Sequence, residues 1–234
     1  MASAATPLDE VFERCRDMDA SLAERLSMFA DAVRAQAPAF SAAVDRLIKR
    51  LHDNSAGDAA PRSGEAMPPF VLPDDAGHLV SLEKFLQTGP VAVTFHRGHW
   101  CPYCRININA LAKAHDVISR EGGQIIAIVP ERQEFAAEFK NDARAHFPIL
   151  TDMDNGYAMS LNLAIWLGPD LERLLSSYGR SLPDYQGNET WTLPIPATFV
   201  VAPNGIIRAR FVEPDFRRRM AVEELIDALK AARG

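Results

Sequence analysis

Val91-Ala92-Val93-Thr94-Phe95 is separated by only five residues from Cys101-Pro102-Tyr103-Cys104, and a helical pattern runs from Arg105 to about Glu121. Five apolar or β-branched residues with no polar alternation read as a strand buried on both faces. Pro102 suits the first turn of a helix, so Cys101 falls near the cap position and Cys104 about one turn in. A Cys-x-x-Cys at the junction of a buried strand and a helix puts a thiol on a helix N-terminus. There free N–H groups and the helix dipole favour negative charge. The junction also constrains the fold, because a strand buried on both faces needs helices on both faces of its sheet.

The pattern around this unit agrees. Phe70-Val71-Leu72 reads as a strand with a turn at Asp74-Asp75-Ala76-Gly77, and Ser81 caps a short helix through Leu86. Gly122-Gly123 ends the helix that follows the cysteines, Gln124–Val129 is a second buried strand, 131–146 a helix and Ile149-Leu150 a short strand. Ala197–Ala202 and Ile206–Val212 flank Pro203-Asn204-Gly205 as a hairpin, and a helix closes the chain near 221–231. Residues 163–193 fit poorly and read as an insertion with one helix near Leu171–Tyr178, covering a site or joining an interface.

Residues 1–60 differ. Thr6-Pro7-Leu8-Asp9 is a helix start, and Leu8, Cys15, Leu22 and Phe29 recur every seven residues, with Val11, Met18, Leu26 and Val33 filling in. This predicts one helix ending before Pro38. A second carries Phe40, Val44, Leu47, Ile48 and Leu51 on one face. The two make a helical hairpin whose apolar stripe packs either on its own domain or against another subunit. Residues 54–69, rich in Ala, Gly, Pro and Ser, read as a linker. The expected organisation is a hairpin over 1–60 and an α/β domain over 61–234.

A net charge of −6 with no basic cluster argues against nucleic acid and anionic membrane surfaces. Arg217-Arg218-Arg219 reads as a solvated turn. Met1 to Thr6 has neither the charges nor the apolar core of an export signal, which places the cysteines in the reducing cytoplasm. In that setting a Cys-x-x-Cys is redox-active or metal-binding. His96 and His99 lie within reach of a zinc reading with Cys101 and Cys104, but Pro102 and the buried strand fit a catalytic dithiol better. Cys15, on the apolar stripe, reads as a buried structural cysteine.

A second signal is Trp191-Thr192-Leu193-Pro194-Ile195-Pro196-Ala197-Thr198-Phe199-Val200, a proline directly before a strand. A Cys-x-x-Cys at a strand–helix junction with a later Pro-Ala-Thr-Phe-Val resembles the thioredoxin-like superfamily. The flanks Pro69-Phe70-Val71-Leu72-Pro73-Asp74, Phe95–Cys104 and Phe147-Pro148-Ile149-Leu150-Thr151-Asp152 are similar to its peroxiredoxin-like branch, the alkyl hydroperoxide reductase/thiol-specific antioxidant group. The resemblance covers about residues 62–233. It implies a three-layer α/β fold with a central mixed sheet. It also implies a cis Pro196 packed on the dithiol, and an Ile195 backbone offered to substrate.

That branch carries a Pro-x-x-x-Thr/Ser-x-x-Cys signature whose cysteine attacks peroxide. Laid on this chain, the attacking cysteine is Cys104, Arg97 replaces the proline and Cys101 replaces the hydroxyl residue. Thioredoxin logic instead makes Cys101 the attacker. Cys-Pro-Tyr-Cys is also a glutaredoxin tetrad, but this chain is far longer. Arg97 reads as the cation that lowers a thiol pKa or contacts peroxide, and Trp100 as a shield for the pair.

The expected activity is antioxidant: a hydroperoxide oxidises one cysteine to sulfenic acid, the other condenses with it, and a thioredoxin- or glutathione-type thiol reduces the disulfide. No metal or organic cofactor is needed. The partners implied are a hydroperoxide, that reductant and a second copy in a homodimer through the N-terminal helices. The rivals are a thiol–disulfide oxidoreductase acting on protein disulfides and a non-enzymatic redox sensor.

Overall fold

In the computed structural model, which describes residues 7–233, the heptad pattern at the start of the chain is cut in two. Helix α1 spans Pro7–Asp17 and α2 spans Leu22–Gln36. The cut is a capping box. The Ser21 side chain accepts from the Glu24 amide, and the Glu24 carboxylate accepts from the Ser21 N–H. A new helix starts there although the apolar repeat continues through it. The Thr6 cap expected for α1 lies outside the described residues. Helix α3, Pro38–Asp53, buries Val44, Leu47, Ile48 and Leu51 as its spacing predicts.

The segment therefore holds three helices, not a hairpin. Its apolar stripe packs on its own domain: Phe12, Cys15, Leu26, Phe29 and Val33 share one core with Tyr103, Ile106 and Ala110. Arg25 fastens the layer. It is almost fully buried and donates to the Cys15 carbonyl (2.8 Å), the Arg16 carbonyl and Asn109 Oδ1 (3.0 Å).

Nor do residues 54–69 hang free. The Gly64 amide donates to the Ile207 carbonyl (2.8 Å) and the Met67 amide to that of Gly205 (2.9 Å). Arg210 donates to the carbonyls of Ala60 (2.7 Å) and Pro61 (3.0 Å). Turn-rich composition predicts mobility only where the backbone lacks partners, and here a sheet edge supplies them.

A short ribbon, β1 (Val71–Pro73) and β2 (Leu79–Ser81), leads to α4 (Leu82–Leu86), capped by Ser81 as expected. Then come β3 (Val91–Phe95), α5 (Pro102–Arg120), β4 (Gln124–Val129), α6 (Gln133–Ala143), β5 (Ile149–Thr151) and α7 (Gly156–Ser160). The insertion folds as β6 (Ala164–Trp166), α8 (Pro169–Ser177), α9 (Leu182–Gln186) and β7 (Thr192–Pro194), with β6 and β7 paired antiparallel. Strands β8 (Ala197–Val201) and β9 (Ile207–Val212) and helix α10 (Val222–Ala231) complete the chain.

The main sheet runs β5-β4-β3-β8-β9. Strand β3 is parallel to β4 and antiparallel to β8, so the sheet is mixed. Alternate residues of its central strands point to opposite faces. Ala92, Ile125, Ala127 and Val200 join the core under α5, α10 and the N-terminal helices. Val91, Val93, Phe95, Ile126, Ile128 and Phe199 join Phe70, Leu82 and Tyr157 on the other side. This is the three-layer arrangement implied by the resemblance, with β3 buried in the middle and its C-terminal end aimed at α5.

Replacing Arg25 by Ala leaves two buried acceptors, the Cys15 carbonyl and Asn109 Oδ1, without that donor. We expect a loss of about 2 kcal/mol in the free energy of unfolding, read by denaturant titration; an unchanged midpoint would show that Arg25 does not tie α2 to α1 and α5.

Candidate active site

The loop between β3 and α5 is shaped by one glycine and one buried acid. Gly98 has φ +127°, and a Cβ on it would lie 2.4 Å from the Glu131 carboxyl group. The close approach lets the Glu131 carboxyl accept from the amides of His99 (2.7 Å) and Trp100. Glu131 is fully buried, and burial outweighs those two donors, pushing its pKa up to about 8. The sequence pattern places Glu131 in a helix, but α6 starts only at Gln133, so Glu131 sits in the turn after β4 beneath the loop.

Cys101 is the N-cap of α5 and Pro102 its first residue, as the sequence predicts. Both cysteines are buried, and all three cysteines of the chain are unpaired. Cys104 Sγ accepts from the Arg97 amide (3.3 Å) and from Arg219 Nη2 (3.5 Å). Burial raises the Cys101 pKa, but the Cys104 S–H donated to its sulfur, Arg97 and Arg219 together reverse the effect and bring it down to about 6. Burial and the donation of its proton to Cys101 push Cys104 up to about 12. The two thiols are thus driven apart by their surroundings.

The Arg97 guanidinium lies over the rings of Phe216 (3.8 Å) and Trp100 (4.9 Å), where stacking holds a cation away from water. Trp100 Nε1 donates to the Arg97 carbonyl (3.0 Å), and Arg180 Nη1 donates to the Trp100 carbonyl (2.6 Å).

The three-arginine run is not a solvated turn. Arg217 is held by Asp215 (2.8 Å) and Asp45 (2.8 Å), and Arg219 reaches the dithiol. Only Arg218 is exposed. No local pattern marks Arg219, because its partner is 115 residues away in the chain.

The proline expectation needs correction. Among the described residues every peptide bond is trans, Ile195–Pro196 included. The chain passes from β7 into β8 across just these two residues, and the Ile195 amide is already donated to the Leu163 carbonyl (2.7 Å). Pro196 is buried at the start of β8. His99 also turns away from the cysteines, to Asp142 (2.7 Å) on α6. Cys15 is wholly buried among the N-terminal helices.

Beside Cys101 opens a cleft of about 490 Å³. Its walls come from three parts of the chain. Phe12, Phe29, Val33 and Phe40 belong to the N-terminal helices, Leu175, Tyr178 and Arg180 to the insertion, and Arg97, Trp100, Cys101 and Tyr103 to the active loop. The insertion thus covers the site. Edge-on rings link the parts: Phe12 to Phe29 (6.1 Å), Phe29 to Tyr103 (5.1 Å) and Tyr103 to Phe216 (5.4 Å).

Residues 63–210 match the AhpC/TSA family. The chain belongs to that family. Within it, 92 residues are 32% identical to the putative chloroplastic peroxiredoxin Q of Oryza sativa subsp. indica, covering 39% of this chain and 42% of that protein. Peroxiredoxin Bcp of Escherichia coli K12 is 28% identical over 94 residues, covering 40% of this chain and 60% of the relative. The chain therefore spans about half the length of the curated relatives it matches. The peroxidoxin BcpB structure from Mycobacterium tuberculosis superposes with a TM-score of 0.57 at 18% identity, over 74% of this chain and 99% of that one, a likeness of fold. The family match stops short of α10, Arg219 and the three N-terminal helices, so most of the cleft's aromatic wall lies outside it.

Two outcomes follow from this geometry. Alkylation of Cys101 by iodoacetamide is expected to rise with pH and reach half its maximum near pH 6. Arg219→Ala removes a cation that favours the thiolate, so the midpoint moves up; a midpoint that stays in place would contradict the assignment. Gly98→Ala forces a side chain into the Glu131 carboxyl at a φ that L residues avoid. It is expected to cost about 3 kcal/mol in denaturant unfolding.

Proposed function

We propose that this chain is a thiol-dependent peroxidase in which Cys101 attacks and Cys104 resolves. The carrying observation is the opposite shift of the two thiols, Cys101 down to about 6 and Cys104 up to about 12. At pH 7 Cys101 is then a thiolate opening on the cleft, while Cys104 keeps its proton behind it. The Cys101 sulfur attacks the outer oxygen, an S–O bond forms as the O–O bond breaks, the alkoxide or hydroxide leaves and takes a proton from water, and Cys101 becomes a sulfenic acid. Arg97, beside the sulfur, favours the attacking anion and the negative charge that grows on the leaving oxygen. Cys104 then displaces water and closes the disulfide. The family signature, laid on the chain, would make Cys104 the attacker; the Cys104-to-Cys101 hydrogen bond, which holds the proton on Cys104, argues against that order.

Family membership supports peroxide as the oxidant. One fold relative, from Xanthomonas campestris, is described by its alkyl peroxide reduction activity. A mainly aromatic and aliphatic cleft of this size suits an organic hydroperoxide better than hydrogen peroxide alone. The reductant is read as an external thiol of thioredoxin or glutathione type; a relative from yeast mitochondria is described with both systems. Three unpaired cysteines fit a reducing compartment such as the cytoplasm. A homodimer would need a face other than the apolar stripe, which is buried within the chain.

The test is peroxide consumption with a small dithiol as reductant. Wild type is expected to turn over, Cys101→Ser to lose activity by at least about a thousandfold, and an insulin-type disulfide to be a poor substrate. Rapid insulin reduction with no peroxide consumption would favour the disulfide-exchange rival. Gln36→Trp, an exposed position on the cleft rim, is expected to raise KM for cumene hydroperoxide about tenfold and leave that for hydrogen peroxide unchanged.

A further inference from the structure

His96 follows β3 directly, is fully buried, and has no place in the reaction so far. Its Nε2 is 3.0 Å from Thr94 Oγ1. The Thr94 hydroxyl has one proton, which it donates to the Ile126 carbonyl (3.1 Å). Toward His96 it can therefore only accept. That fixes the hydrogen on Nε2 and leaves Nδ1 as a bare lone pair. Nδ1 is buried and makes no hydrogen bond. The neighbouring thiol is Cys104: its sulfur accepts from the Arg97 amide, one residue on, at 3.3 Å, and it interacts with the imidazole. The Phe139 ring, edge-on at 6.1 Å, closes another side of the imidazole.

We propose that His96 is the general base that takes the Cys104 thiol proton during disulfide formation, held in the competent tautomer by Thr94. The inference rests on the reading of Cys101 as the attacking sulfur.

The order of events follows from counting protons. In the reduced site the single Cys104 proton is donated to the Cys101 thiolate, so Nδ1 goes without. Once Cys101 carries an –OH it is no longer an anion, and the Cys104 proton turns to Nδ1. As His96 takes that proton, Cys104 attacks the Cys101 sulfur; the S–S bond forms and the S–O bond breaks. The hydroxide that leaves collects the proton from His96 as water. Sulfenic acid and thiol thus yield disulfide and water, with His96 returned to its starting state. Burial holds the imidazole neutral beforehand, so it is ready as a base. The charged and titratable groups that act on it are Cys104 and Arg219. Thr94 is a positioning residue, since it acts only through the ring.

The step can be isolated from peroxide chemistry. An aromatic disulfide, 5,5′-dithiobis(2-nitrobenzoate), releases one coloured thiolate when Cys101 attacks it. It releases a second when Cys104 resolves the mixed disulfide. Cys104→Ala lacks the second phase and so identifies it. At pH 7, His96→Gln is expected to slow the second phase about a hundredfold more than the first. Its second phase should then climb about tenfold per pH unit toward alkaline pH, as Cys104 must ionise unaided, while wild type stays nearly flat.

Thr94→Val keeps the imidazole but removes its acceptor, and is expected to slow the second phase about tenfold; Thr94→Ser restores it. A second phase that is unchanged in both His96→Gln and Thr94→Val overturns the proposal, as does equal slowing of both phases. If peroxide fails as a substrate but the two phases behave as described, the peroxidase reading falls and the role of His96 stands.

Discussion

A Cys101 thiolate that accepts the Cys104 proton in the field of Arg97 and Arg219, in a space nearly closed to water, is the interaction on which this site depends. Burial alone would keep Cys101 protonated at neutral pH. Instead its pKa falls from 9.0 to about 6, a preference for the anion of roughly 4 kcal/mol. Arg97 acts strongly because it is itself kept from solvent by the Trp100 and Phe216 rings, and Arg219 adds to it from a partly buried position. Glu131 supports the arrangement from below. It pins the His99 and Trp100 amides, and that fixes where the loop delivers Cys101 to the α5 N-terminus.

The rest of the chain serves this small volume from a distance. The three N-terminal helices bring Phe12, Phe29, Val33 and Phe40 over the loop, and the insertion brings Tyr178 and Arg180 to the opposite wall. Arg219 arrives from the turn before α10. A common α/β scaffold thus acquires a deep, mainly apolar approach to its thiol, one wall of it from N-terminal helices that the family match does not cover and the other from an insertion within it. In the proposed reaction that approach decides which hydroperoxides reach Cys101, while the dithiol and its cations decide what happens to them.

The parts that were legible in the sequence are those set by neighbours along the chain. The unbroken apolar run of β3, Pro102 at the first turn and the cysteine spacing define the strand, the helix and the N-cap position of Cys101 together. The Asn204-Gly205 hairpin and the Ser81 cap are equally local. The break between α1 and α2 was written as Ser21-x-x-Glu24 but was masked by an apolar repeat that runs through it. The site's third dimension was not legible. Nothing near Arg219 distinguishes it from Arg218, and nothing near Glu131 indicates that Gly98 will close over it. Pro196 was correctly placed at a strand start, yet its peptide bond is trans and the amide before it serves Leu163 instead of a substrate.

The central claim is that environment, not family position, selects the attacking sulfur. It is tested most directly by giving the reduced protein one equivalent of cumene hydroperoxide in the presence of dimedone, which captures sulfenic acids, and mapping the adduct by peptide mass spectrometry. Cys104→Ser should be used alongside wild type, so that the sulfenic acid persists long enough to be trapped. The account predicts the adduct on Cys101. An adduct on Cys104 of the wild-type protein, with none on Cys101 in either form, would contradict it.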